Sequence, residues 1–355
     1  MAAKVTLSDI AAAAGVSLAT VDRVINGRGG VSAAKEDRVL RAARSLRLNR
    51  RDLQPPRQLK RVAVLIQPPG NPFHAELASG LARLRPAFQA LNMLLQIQHI
   101  DPASPAQTAS RIRALADAHD GIIISGPDTP DVAAALRNAA SRFPIVTLAT
   151  DIADCGRAAY VGPDDVRAGR VAGDLIGRSL GPAGGEIAMI AGRLDIAGQR
   201  ARATGFADVL AEYYPTCHLV RIAEIGEAAD TSAREVAAAL AAHPGLRAIY
   251  HTTTGATPLV EALEARGRRG DIVVVTHELT PGRRRLLRAR RLDAVIDQNP
   301  QREIRLALET MARLFGRLDG PARSIETEIQ IYTPENALTA WPCGPAAPPT
   351  RPSGS

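Results

Sequence analysis

Aromatic residues and cysteines are scarce in this chain of 355 residues, with Phe, Trp and Tyr making up only 3% of it. Its three cysteines, Cys155, Cys217 and Cys343, are odd in number and lack the paired spacing of a zinc or disulfide framework, which indicates a reducing compartment. No apolar run reaches the roughly 18–20 residues that span a bilayer. The first residues, MAAKVTLSDIAAAAGVS, lack the apolar core of a secretion signal. We therefore expect a cytoplasmic protein with no membrane contact, no metal and no other cofactor.

The excess positive charge is confined to the start of the chain. Residues 1–61 hold 13 Lys/Arg and 5 Asp/Glu, which accounts for the whole net charge of +8, while the remaining residues hold 31 of each kind. A compact basic module on an electroneutral body indicates a polyanionic partner, most simply nucleic acid. The length and the 46% hydrophobic content suit two or three domains, each with a core.

Two short helices separated by a single glycine are predicted near the N-terminus. Thr6 or Ser8 can cap the first helix, and Gly15 can end it in the left-handed conformation. Ser17 can cap the second helix, so the stretch forms a helix-turn-helix. A third helix is predicted after Ser32, with an inner face of Val39, Leu40, Ala43 and Leu46.

The outward side of the second helix carries groups that suit DNA. Arg23 can donate two hydrogen bonds to guanine, worth about 1–3 kcal/mol of discrimination, and Leu18 and Ala19 can touch thymine methyl groups. Short polar residues suited to phosphate oxygens are Thr6, Ser17, Thr20, Asn26 and Ser32. Asp22 is an acid beside Arg23, and it either faces away from DNA or restrains Arg23.

Residues 5–46 resemble the headpiece of the LacI/GalR family of bacterial transcription regulators. The signature is DIA…AGVS…TV.RV.NG…VS…R. The resemblance implies double-stranded operator DNA as partner, base readout at Leu18, Ala19 and Arg23, and phosphate contacts at the five short polar residues above. It also implies a homodimer that reads a pseudo-palindrome, with repression relieved by a small-molecule effector as the common arrangement.

The segment after the headpiece departs from that family. Members of the family have a hinge helix there that inserts a leucine into the minor groove, whereas this chain has RLNRRDLQPPRQLKR. Pro55 and Pro56 lack N–H donors and force Gln54 toward extended geometry, and Arg57 stands at the position of the leucine. We expect an extended basic linker, which either touches phosphates and the minor groove or is a solvated tether.

From Arg61 onward, apolar strand-like segments alternate with amphipathic ones. The predicted strands are RVAVLIQ, LLQIQHI, DGIIISG, PIVTLAT, EIAMIAG, HLVRIAE, LRAIYHT, DIVVVTH and LDAVIDQ. The predicted helices cover 75–90, 131–142, 166–180, 230–242, 256–267 and 300–316. Such alternation favours parallel sheets with helices on both faces, and the number of strands favours two sheets with a cleft between them.

Polar residues follow several of these strands, where ligands of parallel α/β proteins bind. The region 62–335 resembles the sugar-binding periplasmic proteins of the ribose-binding branch. Through NPFHAELASGL, PIVTLATD, RARATGF, THELTP and VIDQNP, the resemblance implies effector contacts at Asn71, Phe73, His74, Asp151, Arg202, Thr252, Glu278 and Gln298. No nucleophile elbow or triad signature is present, and the Gly-rich GPAGGE precedes a strand, so we expect a binding protein and not an enzyme.

The expected fold class is a small all-α helix-turn-helix domain followed by an α/β periplasmic-binding-protein-like domain with two parallel-sheet subdomains and a cleft. The expected boundaries are a headpiece at 1–49, a linker at 50–60, a body at 61–341 and a disordered tail at 342–355. Within the body, one lobe is expected to hold 61–162 plus 299–323 and the other 163–298 plus 324–341. The expected function is a sequence-specific DNA-binding repressor whose operator affinity is controlled by a small-molecule effector in the cleft, a sugar or sugar derivative. The alternative is a DNA-binding protein whose body only dimerises and binds no effector.

Overall fold

The computed structural model describes residues 6–25, 30–46, 58–226 and 228–337. The chain divides into two compact units, Met1–Leu59 and Lys60–Ser355. Asn26, most of the predicted linker including Arg57, and the predicted tail 342–355 lie outside the described residues. None of the described helices is long and apolar enough to cross a bilayer.

Three helices make up the described part of the first unit: α1 Leu7–Ala14, α2 Leu18–Ile25 and α3 Ala33–Ser45. Thr6 and Asp9 close a capping box at the start of α1, since the Thr6 N–H donates to Asp9 Oδ2 at 2.7 Å. Gly15 ends α1 with φ 61°, a left-handed conformation that glycine adopts without steric cost. Because Ser17 Oγ then accepts from the Thr20 N–H at 3.2 Å, α2 begins almost at once.

A small apolar core holds the three helices together. It consists of Ile10, Ala14, Val21, Ile25, Val39, Ala42 and Ala43. The prediction for α3 was wrong at Leu40, which is 36% exposed, and Ala42 is buried in the core instead. The helix-turn-helix itself is confirmed, because Gly15 and Ser17 do end one helix and start the next.

The second unit contains two six-stranded sheets, the first in the order β11-β5-β4-β3-β1-β2 and the second in the order β12-β10-β9-β8-β6-β7. The strands are β1 Lys60–Ile66, β2 Met93–His99, β3 Gly121–Ile124, β4 Ile145–Leu148, β5 Ala159–Pro163, β6 Gly185–Ala191, β7 Cys217–Glu224, β8 Leu246–His251, β9 Val273–His277, β10 Ala294–Asp297, β11 Ile325–Thr327 and β12 Gln330–Tyr332. The described pairings are parallel, apart from the antiparallel pairing of β10 with β12.

Nine helices flank these sheets in the described part of the unit. They are α4 Pro72–Gln89, α5 Pro105–Leu115, α6 Pro130–Ala140, α7 Asp165–Leu180, α8 Ala197–Tyr213, α9 Ala229–Ala242, α10 Ala256–Glu264, α11 Pro281–Arg288 and α12 Pro300–Leu314. Each of the nine predicted strand segments contains a strand, and each of the six predicted helical segments contains a helix. The helical segments given above leave out α5, α8 and α11, and the strand segments leave out β5, β11 and β12.

Alternate residues of β1 contribute to two different cores, which explains why the strand is apolar throughout. Val62, Val64 and Ile66 pack with α4 and α12, whereas Ala63 and Leu65 pack with α5 and α6. A parallel strand covered by helices on both faces buries every side chain, so its sequence shows no alternation of polar and apolar residues. In the second sheet, β6 is divided in the same way between α9–α11 and α7–α8.

Within the described residues, the chain passes from one sheet to the other three times. The crossings follow β5, β10 and β11. The third crossing differs from the expected boundary, because Glu326 of β11 pairs with Gly162 of β5 in the first sheet. Residues 325–327 therefore belong to the first lobe and not, as expected, to the second. We call the parts built on the first and second sheets the first lobe and the second lobe.

Candidate functional site

A cavity of about 80 Å³ lies where the carboxyl ends of strands from both lobes face each other. The first lobe lines it with residues that follow β1, β3 and β4, and the second lobe with residues of α8 and those that follow β8, β9 and β10. This is where ligands of parallel α/β folds bind. The lining includes Asn71, Phe73, His74, Arg202, Thr252, Glu278 and Gln298, which are seven of the eight predicted effector residues.

The eighth predicted residue, Asp151, is not among the lining residues. Its two carboxylate oxygens accept from Nε and Nη2 of Arg157, both at 2.6 Å, and Oδ1 also accepts from the Thr147 hydroxyl at 2.7 Å. These bonds hold the carboxylate within the first lobe, so Asp151 has a structural role there. The preceding residue, Thr150, lines the cavity instead.

The wall from the first lobe is organised by the start of α4. Asn71 caps this helix, since its Oδ1 accepts from the Phe73 N–H at 3.0 Å. Phe73 and His74 follow directly, with ring centroids 5.2 Å apart in an edge-on arrangement. His74 Nδ1 accepts from the Gln67 N–H at 3.3 Å. Burial, with a contribution from His99, lowers the pKa of His74 to about 3, so the ring is neutral at physiological pH.

The wall from the second lobe is built around the guanidinium of Arg202, which is 6% exposed. Its Nε donates to Asp165 Oδ1 at 2.7 Å and its Nη2 to Gln298 Oε1 at 3.2 Å. Burial acts to lower the pKa of Arg202, but the adjacent carboxylate of Asp165 outweighs it and raises that pKa. Arg202 therefore stays charged and holds the polar side chains of this wall in place.

Glu278 occupies a strained position at the end of β9. Its backbone φ is 64°, a left-handed conformation that is uncommon for a residue with a side chain. Oε1 accepts from Gln298 Nε2 at 3.0 Å, whereas Oε2 is buried without a hydrogen-bond partner among the described residues. Desolvation raises the pKa of Glu278 to about 8 despite the nearby Arg202, so the carboxyl holds a proton at neutral pH.

Several lining residues were missed because their positions in the sequence suggest other roles. Asp165 lies in the first turn of α7, where an acid usually indicates stabilisation of the helix. Gln199 lies in α8, and its Oε1 accepts from the Thr252 hydroxyl at 2.6 Å. Gln67, Ser125, Thr253, Thr254 and Arg283 also line the cavity. The run of three threonines directly after β8 was the available signal for Thr253 and Thr254, at the carboxyl end of a strand.

Hydrogen bonds between described residues join the two lobes close to the cavity. The Gly198 N–H donates to Thr150 Oγ1 at 3.0 Å, and Arg200 Nη2 donates to Asp128 Oδ2 at 3.0 Å. Arg200 is about half exposed, so its ion pair contributes little to stability in water. Both bonds can form only while the lobes lie close together, so they belong to a closed arrangement of the cleft.

The second candidate site lies on the headpiece. Leu18, Ala19 and Arg23 of α2 are exposed, and Leu18 is 50% exposed although it is apolar. Thr6, Ser17 and Ser32 stand directly before α1, α2 and α3, where the first N–H groups of each helix point outward. Thr20 lies in the first turn of α2. Ser17 Oγ and Thr20 Oγ1 are 2.9 Å apart and hydrogen-bonded to each other.

In the described part of the chain, no group of three or more His, Cys, Asp or Glu side chains could hold a metal ion. The cavity of the second unit instead combines amides, hydroxyls, two carboxyls and two guanidinium groups with the ring of Phe73. These groups suit the binding of a small polar molecule.

Two family models match the chain. Residues 6–48 match the family described as bacterial regulatory proteins, lacI family, and residues 62–318 match the periplasmic binding protein domain. Similar proteins include the maltose regulon regulatory protein MalI of Escherichia coli (strain K12), 33% identical over 129 residues, which are 35% of this chain and 36% of MalI. The HTH-type transcriptional regulator DegA of Bacillus subtilis (strain 168) is 30% identical over 214 residues, covering 59% of this chain and 61% of DegA. The chain thus spans less than two thirds of the length of either regulator.

A solved structure with a similar fold is GanP, a glucose-galactose binding protein from Geobacillus stearothermophilus. Its TM-score is 0.72 at 22% identity, and the match covers 79% of this chain and all of GanP. The predicted fold class, a helical headpiece followed by a two-lobed α/β domain, is thereby confirmed. The chain belongs to the family of the periplasmic binding protein domain through residues 62–318, and its residues 6–48 match the lacI family of bacterial regulatory proteins.

Proposed function

We propose that the chain is a transcriptional repressor whose affinity for a specific duplex is controlled by a small hydroxylated molecule bound in the cavity. The observation that carries the proposal is the cavity between two lobes, lined by hydroxyl and amide side chains and belonging to the same chain as a helix-turn-helix. The role is one of binding, without a chemical step, and access to bacterial DNA places the protein in the cytoplasm.

Arg23, Leu18 and Ala19 are the proposed base-reading residues. All three are exposed on α2, opposite the buried Val21 and Ile25 that anchor this helix to the core. The proposed phosphate contacts are Thr6, Ser17, Thr20, Asn26 and Ser32. One small module covers few base pairs, so we propose that two copies of the chain read the two halves of a pseudo-palindrome.

The proposed effector residues are Asn71, Phe73, His74, Arg202, Thr252, Glu278 and Gln298, joined by Thr150 and Asp165 from the geometry of the cavity. The similarity to GanP, a glucose-galactose binding protein, supports a hydroxylated ligand. A ligand that contacts both lobes stabilises the closed cleft, and duplex affinity changes by the difference in ligand affinity between the two states. We also propose the expected division into headpiece, linker, body and tail.

A thermal-shift screen with neutral sugars and polyols, followed by fluorescence anisotropy, tests this function. A compound that binds the native state raises the melting temperature by mass action. We expect at least one such compound, and we expect it to weaken binding to a duplex selected by the full chain from a random-sequence pool. If no compound stabilises the chain while duplex binding persists, the body only dimerises and effector control is rejected.

Arg23→Ala tests the DNA-binding half of the proposal, with Arg83→Ala on the exposed face of α4 as a matched control. Loss of a bidentate contact to guanine costs about 1–3 kcal/mol, and the loss applies to the selected duplex only. Equal losses on selected and unselected duplexes would reduce Arg23 to a phosphate contact.

A further inference from the structure

One fully buried acid, Glu303, lies where the first-lobe ends of the three crossing segments meet. It is in the first turn of α12, which begins directly after the second crossing. Its Oε1 accepts from the hydroxyl of Thr327 at 3.1 Å. Thr327 ends β11 before the third crossing, and it pairs with Pro163, which ends β5 before the first crossing. Glu303 therefore lies at the hinge about which the two lobes can turn.

Charged groups of the second lobe act on Glu303 across this hinge. Glu278, which follows β9, and Asp165 of α7 raise the pKa of Glu303, and Arg202 lowers it. Arg202 is bound to Asp165 at 2.7 Å, and its Nη1 lies 3.9 Å from Glu278 Oε1. Tyr160 of β5 adds a neutral phenol, whose own pKa is raised by burial. Glu303 makes no ion pair within the described residues, so a negative charge on it would be poorly compensated.

One carboxyl oxygen of each glutamate is buried without a hydrogen bond. The atoms are Oε2 of Glu303 and Oε2 of Glu278, and neither has a partner in the described part of the chain. A buried carboxylate without donors is far less stable than the neutral carboxyl, so desolvation raises the pKa of Glu278 to about 8 and that of Glu303 well above its usual 4.5. Asp297 adds to the rise at Glu278, whereas Arg202 and Arg283 oppose it. The closed arrangement thus favours the protonated form of both glutamates at neutral pH.

Separation of the lobes changes the surroundings of both glutamates. Glu278 lines the cavity between the lobes, so opening the cleft exposes its carboxyl to water. Glu303 belongs to the first lobe, so opening also moves it away from Glu278 and Asp165 of the second lobe. Hydration and the loss of this repulsion both return a carboxyl toward its ordinary pKa. The open state therefore holds fewer protons than the closed state at neutral pH.

We propose that closing the cleft takes up protons on Glu278 and Glu303, so that the hinge is a pH-sensitive switch that acidification closes. Where the pH lies between the values at which one such carboxyl titrates in the open and closed states, each unit of pH increase lowers the closed-to-open ratio about tenfold. The inference rests on the proposed function only for its effect on duplex affinity, since acid would then act in the same direction as a ligand that stabilises the closed cleft.

Double electron–electron resonance on the full chain tests the switch without ligand or duplex. Nitroxides are attached to Ala134→Cys on the exposed side of α6 and to Ala238→Cys on the exposed side of α9, one in each lobe. Cys343→Ser removes a competing thiol, and the native Cys155 and Cys217 are buried. We expect the closed-to-open ratio to fall at least fivefold between pH 6 and pH 8. A ratio that stays constant or rises, including a single distance population at every pH, overturns the proposal whether or not an effector is ever found.

Glutamine variants assign the switch to the two residues, with thermal melting of each variant as the check on folding. Glu303→Gln and Glu278→Gln keep the shape of the side chain and cannot ionise, so each should at least halve the pH-dependent change, and the double variant should abolish it. The matched control is Glu309→Gln further along α12, where Glu309 pairs with Arg305 at 2.8 Å, and it should respond to pH as the wild type does. A wild-type response in either single variant contradicts the assignment to that residue. A wild-type response in the double variant overturns the proposal.

Discussion

Arg202→Met removes the cation that the buried carboxyls of the second lobe share. Asp165 and Arg202 each have side chains that are 7% exposed, and their N···O distance is 2.7 Å. Removing one partner of such a pair leaves an uncompensated buried charge, which typically costs about 3–5 kcal/mol. Met retains most of the apolar volume, so the loss reports on charge and not on a cavity. We expect the free energy of unfolding to fall by about that amount.

Asp165→Asn in the same chain separates the charge from other effects. The asparagine removes the stranded carboxylate, so the double variant should recover at least half of the stability that Arg202→Met loses. Urea unfolding followed by far-UV circular dichroism measures both, with the transition of the α/β unit treated separately from that of the headpiece. A loss below about 1 kcal/mol in Arg202→Met, or no recovery in the double variant, would refute the view that Arg202 holds this wall together.

This coupling also decides how ligand binding at Arg202 is tested. A single substitution that unfolds the second lobe abolishes the ligand response for structural reasons alone. The double variant, once shown to be folded, is the appropriate protein for ligand titration. We expect it to bind the selected duplex normally and to lose the effector response.

The other predictions concern the pH dependence of stability, helix packing and the linker. The pKa of Glu278 is raised from its ordinary 4.5 to about 8, so between these values the native state keeps a proton that the unfolded state releases. The free energy of unfolding therefore falls as pH rises from about 5 to 8.5. Glu278→Gln should flatten this fall, as measured by urea unfolding. Gly205→Ala should destabilise the protein by about 1–3 kcal/mol, because the new Cβ would lie 2.0 Å from the Val166 carbonyl oxygen. The control Gly282→Ala, whose Cβ would have no atom nearer than 3.9 Å, should be neutral or stabilising by up to about 1 kcal/mol. Equal effects of the two substitutions on the melting temperature would contradict the close packing of α7 on α8. Bending assays should show no sharp central kink in the operator, because Pro55 and Pro56 disfavour a hinge helix, and a kink would contradict the extended linker.

Much of the fold followed from the sequence because parallel strands covered on both faces are apolar throughout. Segments such as DGIIISG and EIAMIAG are short and apolar, as expected of strands buried on both faces, and each contains a strand. Strand β5 was missed because AYVGP is short and ends in Gly-Pro, which usually indicates a turn. The three-residue strands β11 and β12 form by pairing with β5 and β10, which are distant in sequence, so the local sequence alone carries little signal for them.

The candidate cavity was largely predictable because the carboxyl ends of parallel strands converge. That rule identified His74, Glu278 and Gln298, which do line the cavity. It misplaced Asp151, because a local partner six residues away, Arg157, takes its carboxylate, and no strand rule anticipates such a pair. It also missed Asp165, whose contact with Arg202 joins residues 37 positions apart. Contacts of that kind depend on how α7 and α8 pack, which spacing along the chain does not specify.

The central claim is that a ligand in the cavity and a duplex on the headpiece influence each other's affinity. Fluorescence anisotropy of the full chain on its selected duplex, with and without a saturating neutral ligand, measures this coupling directly. We predict a change in duplex Kd of about 5–150-fold, corresponding to roughly 1–3 kcal/mol, and an equal change in ligand Kd when the duplex is present. A ligand that stabilises the chain but leaves the duplex Kd unchanged would contradict the account.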